Sequence, residues 1–222
     1  MVASEIPIEE RVRITEIYAS VQGESSWAGL PCVFVRLTGC NLRCSWCDSE
    51  FTFTGGEHRS IDAIVEEVMS FGIRLVEVTG GEPLAQRQAI PLIAALQDSG
   101  HTVIIETSGS IDVSSVPDGA HLIMDLKPPD SGESDKNLMS NLERLRPKDE
   151  VKFVLASRGD YEWSREVVRR YGLVDRFTVF FSTAFGLLDP AVLSSWLCED
   201  RLNVRLQLQA HKYIWPPDER GV

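Results

Sequence analysis

No apolar stretch of this 222-residue chain approaches the roughly 20 residues that a membrane-spanning helix needs; runs such as His121 to Leu126 and Phe177 to Phe181 stop far short. A soluble protein is expected. Basic residues are scarce as well: 22 Lys and Arg against 33 Asp and Glu leave a net charge of −11, with no cluster of cations anywhere. That balance is the reverse of a nucleic-acid binder's footprint and makes a small-molecule ligand the better expectation. The N-terminal stretch MVASEIPIEERVRI lacks the basic start and long apolar segment of an export signal, so a cytoplasmic location with reduced thiols is expected. Cysteines number five, an odd total that argues against a disulfide framework. No repeat, linker or low-complexity tract divides the chain, and 43% hydrophobic content suffices for one core. A single domain over residues 1–222 with short terminal extensions follows.

What is present alternates. Runs rich in Val, Ile and Phe at Cys32–Leu37, Leu75–Val78, Thr102–Glu106, Leu122–Leu126, Val151–Leu155, Phe177–Phe181 and Val204–Leu208 read as strands, with a further one at Val12–Tyr18. Segments of helical period lie between them. Ser60 reads as the N-cap of a helix burying Ile61, Ile64, Val65, Val68 and Met69 and closed by Gly72, while Ser99-Gly100 and Tyr171-Gly172 end two others. Regular βα alternation implies a parallel sheet. Gly109–Gly119 is too polar for a helix, and Pro128–Ser134 reads as a mobile loop.

Three of the cysteines crowd one loop, Gly39-Cys40-Asn41-Leu42-Arg43-Cys44-Ser45-Trp46-Cys47-Asp48. Iron–sulfur clusters usually take four cysteines and structural zinc four Cys or His, so a compact trio implies a ligand from elsewhere. Cys32 reads instead as a small half-buried strand residue and Cys198 as part of an apolar helix.

The unusual residues share one edge of the sheet. The cysteine loop follows one strand, Thr79-Gly80-Gly81-Glu82-Pro83 the next, then Thr107-Ser108-Gly109, Lys127, Ser182 and Gln209-Ala210-His211. Ligands of parallel α/β folds lie outside the carboxyl ends of the strands, so this clustering marks a site without naming its reaction. Period two puts Cys32, Phe34, Arg36 and Thr38 on one face of their strand. A guanidinium among apolar neighbours needs an anionic partner, either a substrate carboxylate or a structural ion pair, for which Glu24 is the nearest candidate. Glu24 also reads as a solvated loop carboxylate. His58, His101 and His121 lack ligand-like spacing and read as surface or turn residues.

Cys-x3-Cys-x2-Cys after one strand and Gly-Gly-Glu-Pro after the next resemble the radical S-adenosylmethionine superfamily. A narrower resemblance covers nearly the whole chain: Val21-Gln22-Gly23-Glu24, Arg36 to Leu42, Cys47-Asp48-Ser49, Glu106 to Gly109 and Gln209 to Trp215 are similar to the 7-carboxy-7-deazaguanine synthase family. The resemblance implies an α/β fold, an incomplete TIM-type barrel of about six parallel strands with outer helices. It implies a lyase reaction in queuosine and 7-deazapurine biosynthesis, the ring contraction of 6-carboxy-5,6,7,8-tetrahydropterin with loss of ammonia. Implied too are a [4Fe–4S] cluster, S-adenosylmethionine as its remaining ligand and source of a 5′-deoxyadenosyl radical, magnesium, a flavodoxin or ferredoxin as electron donor, and a homodimer.

Carried over by position, Cys40, Cys44 and Cys47 hold the cluster; Trp46, Cys47, Asp48, Gly80, Gly81, Asp125, Leu126, Lys127 and Ser182 contact S-adenosylmethionine. Val21, Gln22, Gly23, Glu24, Arg36 and Thr79 hold the pterin, and Ser49 stands where the family usually has a magnesium-binding Thr. A turn serine is the other reading of Ser49. Gly80 and Gly81 suit either a ligand lying against backbone or a strand–turn–helix connection with Pro83 in its first turn. His211 receives no acid–base role. The chain departs from short members at its end, where Asp218-Glu219-Arg220-Gly221-Val222 follow Pro217. A glycyl-radical activating enzyme, a zinc module using His58 and an electron carrier are the competing readings.

Overall fold

The computed structural model describes residues 11–222. The N-terminal stretch read for an export signal lies mostly outside the described residues. Among the described residues nine strands form one sheet in the order β3-β1-β2-β4-β5-β6-β7-β8-β9. They are β1 Val12–Val21, β2 Pro31–Leu37, β3 Glu57–Arg59, β4 Leu75–Gly80, β5 Thr102–Thr107, β6 His121–Asp125, β7 Glu150–Leu155, β8 Thr178–Thr183 and β9 Arg205–Gln207. From β2 onward through β4 to β9 every neighbour is parallel, which makes seven parallel strands. β1 runs antiparallel to β2 and to β3. The sheet is open, ending at β3 and β9.

Each expected strand is present with small differences at its ends, and β3 is an addition to them. Its sequence, Glu-His-Arg, is polar throughout and mostly exposed, so no apolar alternation announces it. It exists by pairing with the start of β1, where Val12, Arg13 and Ile14 face Arg59, His58 and Glu57.

Period-two alternation sorts the strand side chains onto two faces. Val33, Val35, Leu37, Val76, Val78, Val103, Ile105, Leu122, Met124, Val151, Phe153, Val179 and Phe181 join the main core, together with Ile64 and Val68 of α1 (Ile61–Ser70) and Leu92, Ile93 and Leu96 of α2 (Ala89–Asp98). The alternate residues Cys32, Phe34, Leu75, Ile104 and Ile123 form a separate cluster on the opposite face, with Tyr18 and Trp27 against it. Cys32 is therefore fully buried rather than half-buried.

Helix ends follow the sequence signals. Ser60 caps α1 by accepting from the Ala63 amide, and Ser157 does the same for Asp160 in α3 (Arg158–Tyr171), which stops at left-handed Gly172. Asp189 caps α4 (Pro190–Asp200), with Pro190 in its first turn. A last short helix, α5 (His211–Ile214), follows β9.

The segment Pro128–Ser134, expected to be mobile, is instead built into the fold. Ser131 is buried with its hydroxyl on the Pro128 carbonyl, Asp130 N–H donates to Asp160, and the Ser131 carbonyl accepts from Ser45 of the cysteine loop. His121 also differs from expectation: it is half-buried at the start of β6, edge-on to Trp27 at 5.0 Å.

Phe153 is fully buried in the main core, edge-to-face with Phe181 at 5.3 Å. Phe153→Ala is expected to cost about 3–5 kcal/mol, read as a shifted urea midpoint with an unchanged slope.

Candidate active site

A cavity of about 670 Å³ opens at the carboxyl ends of the strands. The cysteine loop forms one wall, with Cys40, Cys44, Trp46, Cys47, Asp48 and Ser49 all on its surface. That loop is fixed at both flanks. Gly39 N–H donates to the Thr52 carbonyl at 2.7 Å, Ser45 N–H to Ser131, and Arg43 N–H to the Glu133 carboxylate at 2.6 Å.

The Gly80-Gly81 pair explains how the loop sits where it does. A Cβ on Gly80, whose φ is +148°, would meet the Leu37 carbonyl oxygen at 2.3 Å, and one on Gly81 would meet the Gly39 carbonyl oxygen at 2.4 Å and Cys40 Cβ at 2.6 Å. The cysteine loop's own backbone occupies that space. Both glycines also line the cavity, so one face serves packing and the other remains open to a ligand. Pro83 does begin a short 3₁₀ turn, as the connection reading held.

Glu82 locks this junction. Its buried carboxylate accepts from Leu84 N–H at 3.0 Å, Thr107 hydroxyl at 2.9 Å, Ser108 N–H at 2.8 Å and Ser108 hydroxyl at 2.6 Å, while its own N–H donates to Gly39. The ends of β2, β4 and β5 thus become one unit.

Burial works to keep the three thiols protonated. Cys44 is pushed up to about 11, and Cys40 and Cys47 are raised in the same direction. Lys127 opposes this at all three, and its own charge survives burial because Asp125 accepts from it at 2.8 Å. Asp125 keeps one carboxylate oxygen buried without a hydrogen-bond partner among the described residues while lining the cavity. An orphaned acceptor of this kind fits a bound ligand with a donor to offer.

Deeper in the cavity lies an acid-rich network. Lys152 pairs with Glu24 at 2.8 Å and with Glu106, and lies 3.8 Å from Asp125. Glu24 also accepts from Gln207 at 3.0 Å and Gln209 at 3.1 Å. Burial pushes Glu24 upward, but Lys152 outweighs it and holds the carboxyl below its usual range. Glu77 pairs with no lysine: burial and the neighbouring Glu106 push it up to about 8, against a hydrogen bond from the Gln22 amide and a weaker pull from the Arg36 guanidinium. Asp48, at the cavity mouth, is crowded upward yet held well below the carboxylate range by Lys212 at 2.7 Å.

Two expectations about these carboxylates change. Arg36 does pair with a carboxylate, but the partner is Glu16 at 2.7 Å, with Tyr18 hydroxyl at 2.9 Å, not Glu24. Glu16 faces Arg36 directly across the β1–β2 ladder, whereas the Glu24 loop turns toward β7. Glu24 is for the same reason paired rather than solvated.

Val21, Gln22, Gly23, Arg36, Thr79 and Lys127 also line the cavity. Leu126 and Ser182 do not. Leu126 is packed in the main core, and the buried Ser182 hydroxyl has no partner. Ser49 lines the wall with its hydroxyl donating to Asp48 at 2.9 Å. His211 lies against Gly23, where a Cβ would come within 2.5 Å of its Nδ1. Glu77, Glu106 and Lys152 line the cavity too and carry no role in the sequence reading. The signal that marks Arg36, one charge inside an apolar strand, marks Glu77 and Lys152 equally.

Residues 34–185 match the model of the radical SAM superfamily. A 7-carboxy-7-deazaguanine synthase of Koribacter versatilis is 49% identical over 226 residues, covering 95% of this chain and 100% of the relative. The chain belongs to the 7-carboxy-7-deazaguanine synthase family. A family member from Chlorobaculum tepidum is 43% identical, covering 96% of this chain and 99% of its own. The crystal structure of QueE from Escherichia coli superposes with a TM-score of 0.74 at 25% identity, over 90% of this chain and 95% of that one.

Membership of the radical SAM superfamily implies a 4Fe–4S cluster and S-adenosylmethionine. The donor chemistry fits: three half-buried thiols on one wall, a lysine that favours their thiolates and an unpartnered carboxylate oxygen nearby. Among the described residues, however, no three His, Cys, Asp or Glu side chains are already gathered to hold a metal ion. Loading must release the protons of the thiols.

Two predictions follow from this geometry. In Gly81→Ala the added carbon meets backbone that cannot yield, so far-UV circular dichroism should persist while iron and sulfide bound after anaerobic reconstitution fall severalfold. Glu77 keeps its proton in the folded chain up to about pH 8, whereas the unfolded chain releases it near 4.5, so its contribution to stability falls as pH rises between those values. Glu77→Gln keeps an acceptor for Gln22 and removes the titration; its unfolding free energy relative to wild type, from urea titrations, should rise from pH 5 to pH 8 with a limiting slope of about 1.4 kcal/mol per pH unit.

Proposed function

We propose that this protein converts 6-carboxy-5,6,7,8-tetrahydropterin to 7-carboxy-7-deazaguanine with loss of ammonia, a lyase step of queuosine and 7-deazapurine biosynthesis. The observation that carries this reading is one cavity, of a size for a small ligand, in which the cysteine wall faces a guanidinium and a polarised glutamine amide. End-to-end likeness to the Koribacter versatilis enzyme supports it.

Cys40, Cys44 and Cys47 hold the [4Fe–4S] cluster. With S-adenosylmethionine bound, that group supplies the hydrogen-abstracting 5′-deoxyadenosyl radical. This chain's residues position and shield the reactants. Gly80 and Gly81 present backbone without side chains, and Trp46, Asp48, Asp125 and Lys127 surround S-adenosylmethionine. Leu126 contributes through its backbone and Ser182 through its hydroxyl once the ligand is seated.

The pterin rests against Val21, Gln22, Gly23, Glu24, Arg36 and Thr79. Gln22 is already oriented to receive it, because its carbonyl oxygen accepts Glu24 N–H at 3.0 Å and its amide donates to Glu77, which leaves one donor and one lone pair for the heterocycle. Arg36 keeps one terminal nitrogen free of any partner among the described residues and offers it to the substrate carboxylate. Ser49 with the substrate holds magnesium, whose remaining positions water fills.

We further read the domain, residues 1–222, as an incomplete TIM-type barrel. The loop after β1 supports this by reaching the far strands, where Glu24 meets Lys152 of β7 and Gln207 of β9. No helix among the described residues is long and apolar enough to cross a membrane. A cytoplasmic homodimer reduced by a flavodoxin or ferredoxin completes the proposal.

Turnover under anaerobic conditions tests it. Reconstituted protein given reductant, S-adenosylmethionine and magnesium should form the deazapurine; release of 5′-deoxyadenosine alone would refute the substrate assignment. Arg36→Ala should raise the KM for the pterin at least about tenfold with iron content unchanged. Loss of the cluster would place Arg36 in the fold instead.

A further inference from the structure

The C-terminal segment after α5 returns across the mouth of the cavity. A turn in which Glu219 N–H donates to the Pro216 carbonyl at 2.9 Å redirects the chain, and residues 217–222 then line the cavity. Lys212, paired with Asp48 at 2.7 Å, anchors the start of this path on the cysteine loop. Its far end reaches β1. Arg220 lies 3.9 Å from the centre of the Phe51 ring, with a terminal nitrogen 3.6 Å from Glu16 Oε2.

Glu16 therefore serves two guanidiniums. Its Oε1 accepts from Arg36 Nε at 2.7 Å while its Oε2 faces Arg220, and both cations also lie against Phe51, at 5.8 Å and 3.9 Å. One carboxylate balances only one of the two charges. Asp218 and Glu219 on the same segment are exposed and pair with neither. Arg220 makes no hydrogen bond among the described residues, so its whole fork of donors is available beside the free nitrogen of Arg36. At Glu16 two cations meet one anion with planar donors unspent, an arrangement complementary to one further carboxylate.

We propose that Arg220 is a second carboxylate-binding residue of the substrate site, brought to Arg36 by the C-terminal strap and held ready there by Glu16 and Phe51. The assignment rests on the pterin reading above and adds to it a residue supplied from the last turn of the chain. Phe51 gives the cation a flat apolar support that leaves its edge open, and Glu16 fixes its height on the wall. An uncharged ligand gains nothing from this arrangement. Discrimination between carboxylated and uncarboxylated pterins is thus the property Arg220 controls.

The experiment uses the full chain loaded with its cluster and S-adenosylmethionine. Fluorescence polarisation measures equilibrium binding of 6-carboxypterin and of 6-methylpterin, two unreactive oxidised probes that differ in the carboxylate. Wild type should prefer the carboxylated probe. Arg220→Ala should lose about tenfold of that preference, one charge-assisted contact, with 6-methylpterin bound equally by both proteins. Arg220→Lys should recover part of it, and removal of residues 218–222 should match Arg220→Ala. If wild type discriminates and Arg220→Ala discriminates equally, the assignment falls while the pterin reading stands. If binding of both probes tightens on removing the segment, the strap obstructs the cavity and the assignment is overturned. If wild type binds neither probe, the pterin reading fails and this assignment with it.

Discussion

The close approach of two backbones at the ends of β2 and β4 is the constraint on which the site depends. Gly80 and Gly81 let Leu37, Gly39 and Cys40 come within distances no side chain would allow, and the Glu82 carboxylate then ties the junction to Thr107 and Ser108 on β5. This places a cysteine loop, which has little regular structure of its own, against a rigid sheet edge. Everything the cavity contains is measured from that edge. A loop held only by its own hydrogen bonds would leave three thiols on a flexible surface.

Against this rigid rim the interior is electrostatically uneven. Glu24, Glu106 and Asp125 converge on Lys127 and Lys152 while Glu77 sits beside them without a lysine, so acids outnumber the lysines that can neutralise them. The imbalance has a consequence in protonation. Glu24 ionises because Lys152 is its neighbour, and Glu77 holds its proton near neutral pH because burial and Glu106 outweigh the pull of Arg36. Gln22, set between Glu77 and the Glu24 backbone, inherits a fixed amide orientation from both. Toward β1 the excess reverses, with Arg36 and Arg220 sharing Glu16. A ligand with a polar heterocyclic edge and one carboxylate spans the two.

Much of this is legible in the chain itself. Strand positions come from β-branched runs whose pattern is dictated by burial, and helix ends from Ser60 and Gly172, whose effects are local. What escapes is non-local. β3 has no apolar pattern and forms because β1 offers an edge; Pro128–Ser134 is loop-like by composition yet is pinned to Asp160 and Ser45 from distant parts of the chain. Glu77 and Lys152 carry the same mark as Arg36, a charge inside an apolar strand, and are open to the same argument.

By itself the sequence determined the alternation of strands and helices, the cysteine spacing and the order in which polar residues reach the strand ends, because each depends on neighbours within a few positions. Partner choice was decided only in three dimensions. Arg36 meets Glu16 rather than Glu24 because the β1–β2 register sets Glu16 opposite it. Glu24 instead crosses to Lys152, and Arg220, almost the last residue of the chain, arrives beside a strand at its beginning. Coulomb forces act on distance in space, and distances between remote segments are fixed by sheet order and packing rather than by any local pattern.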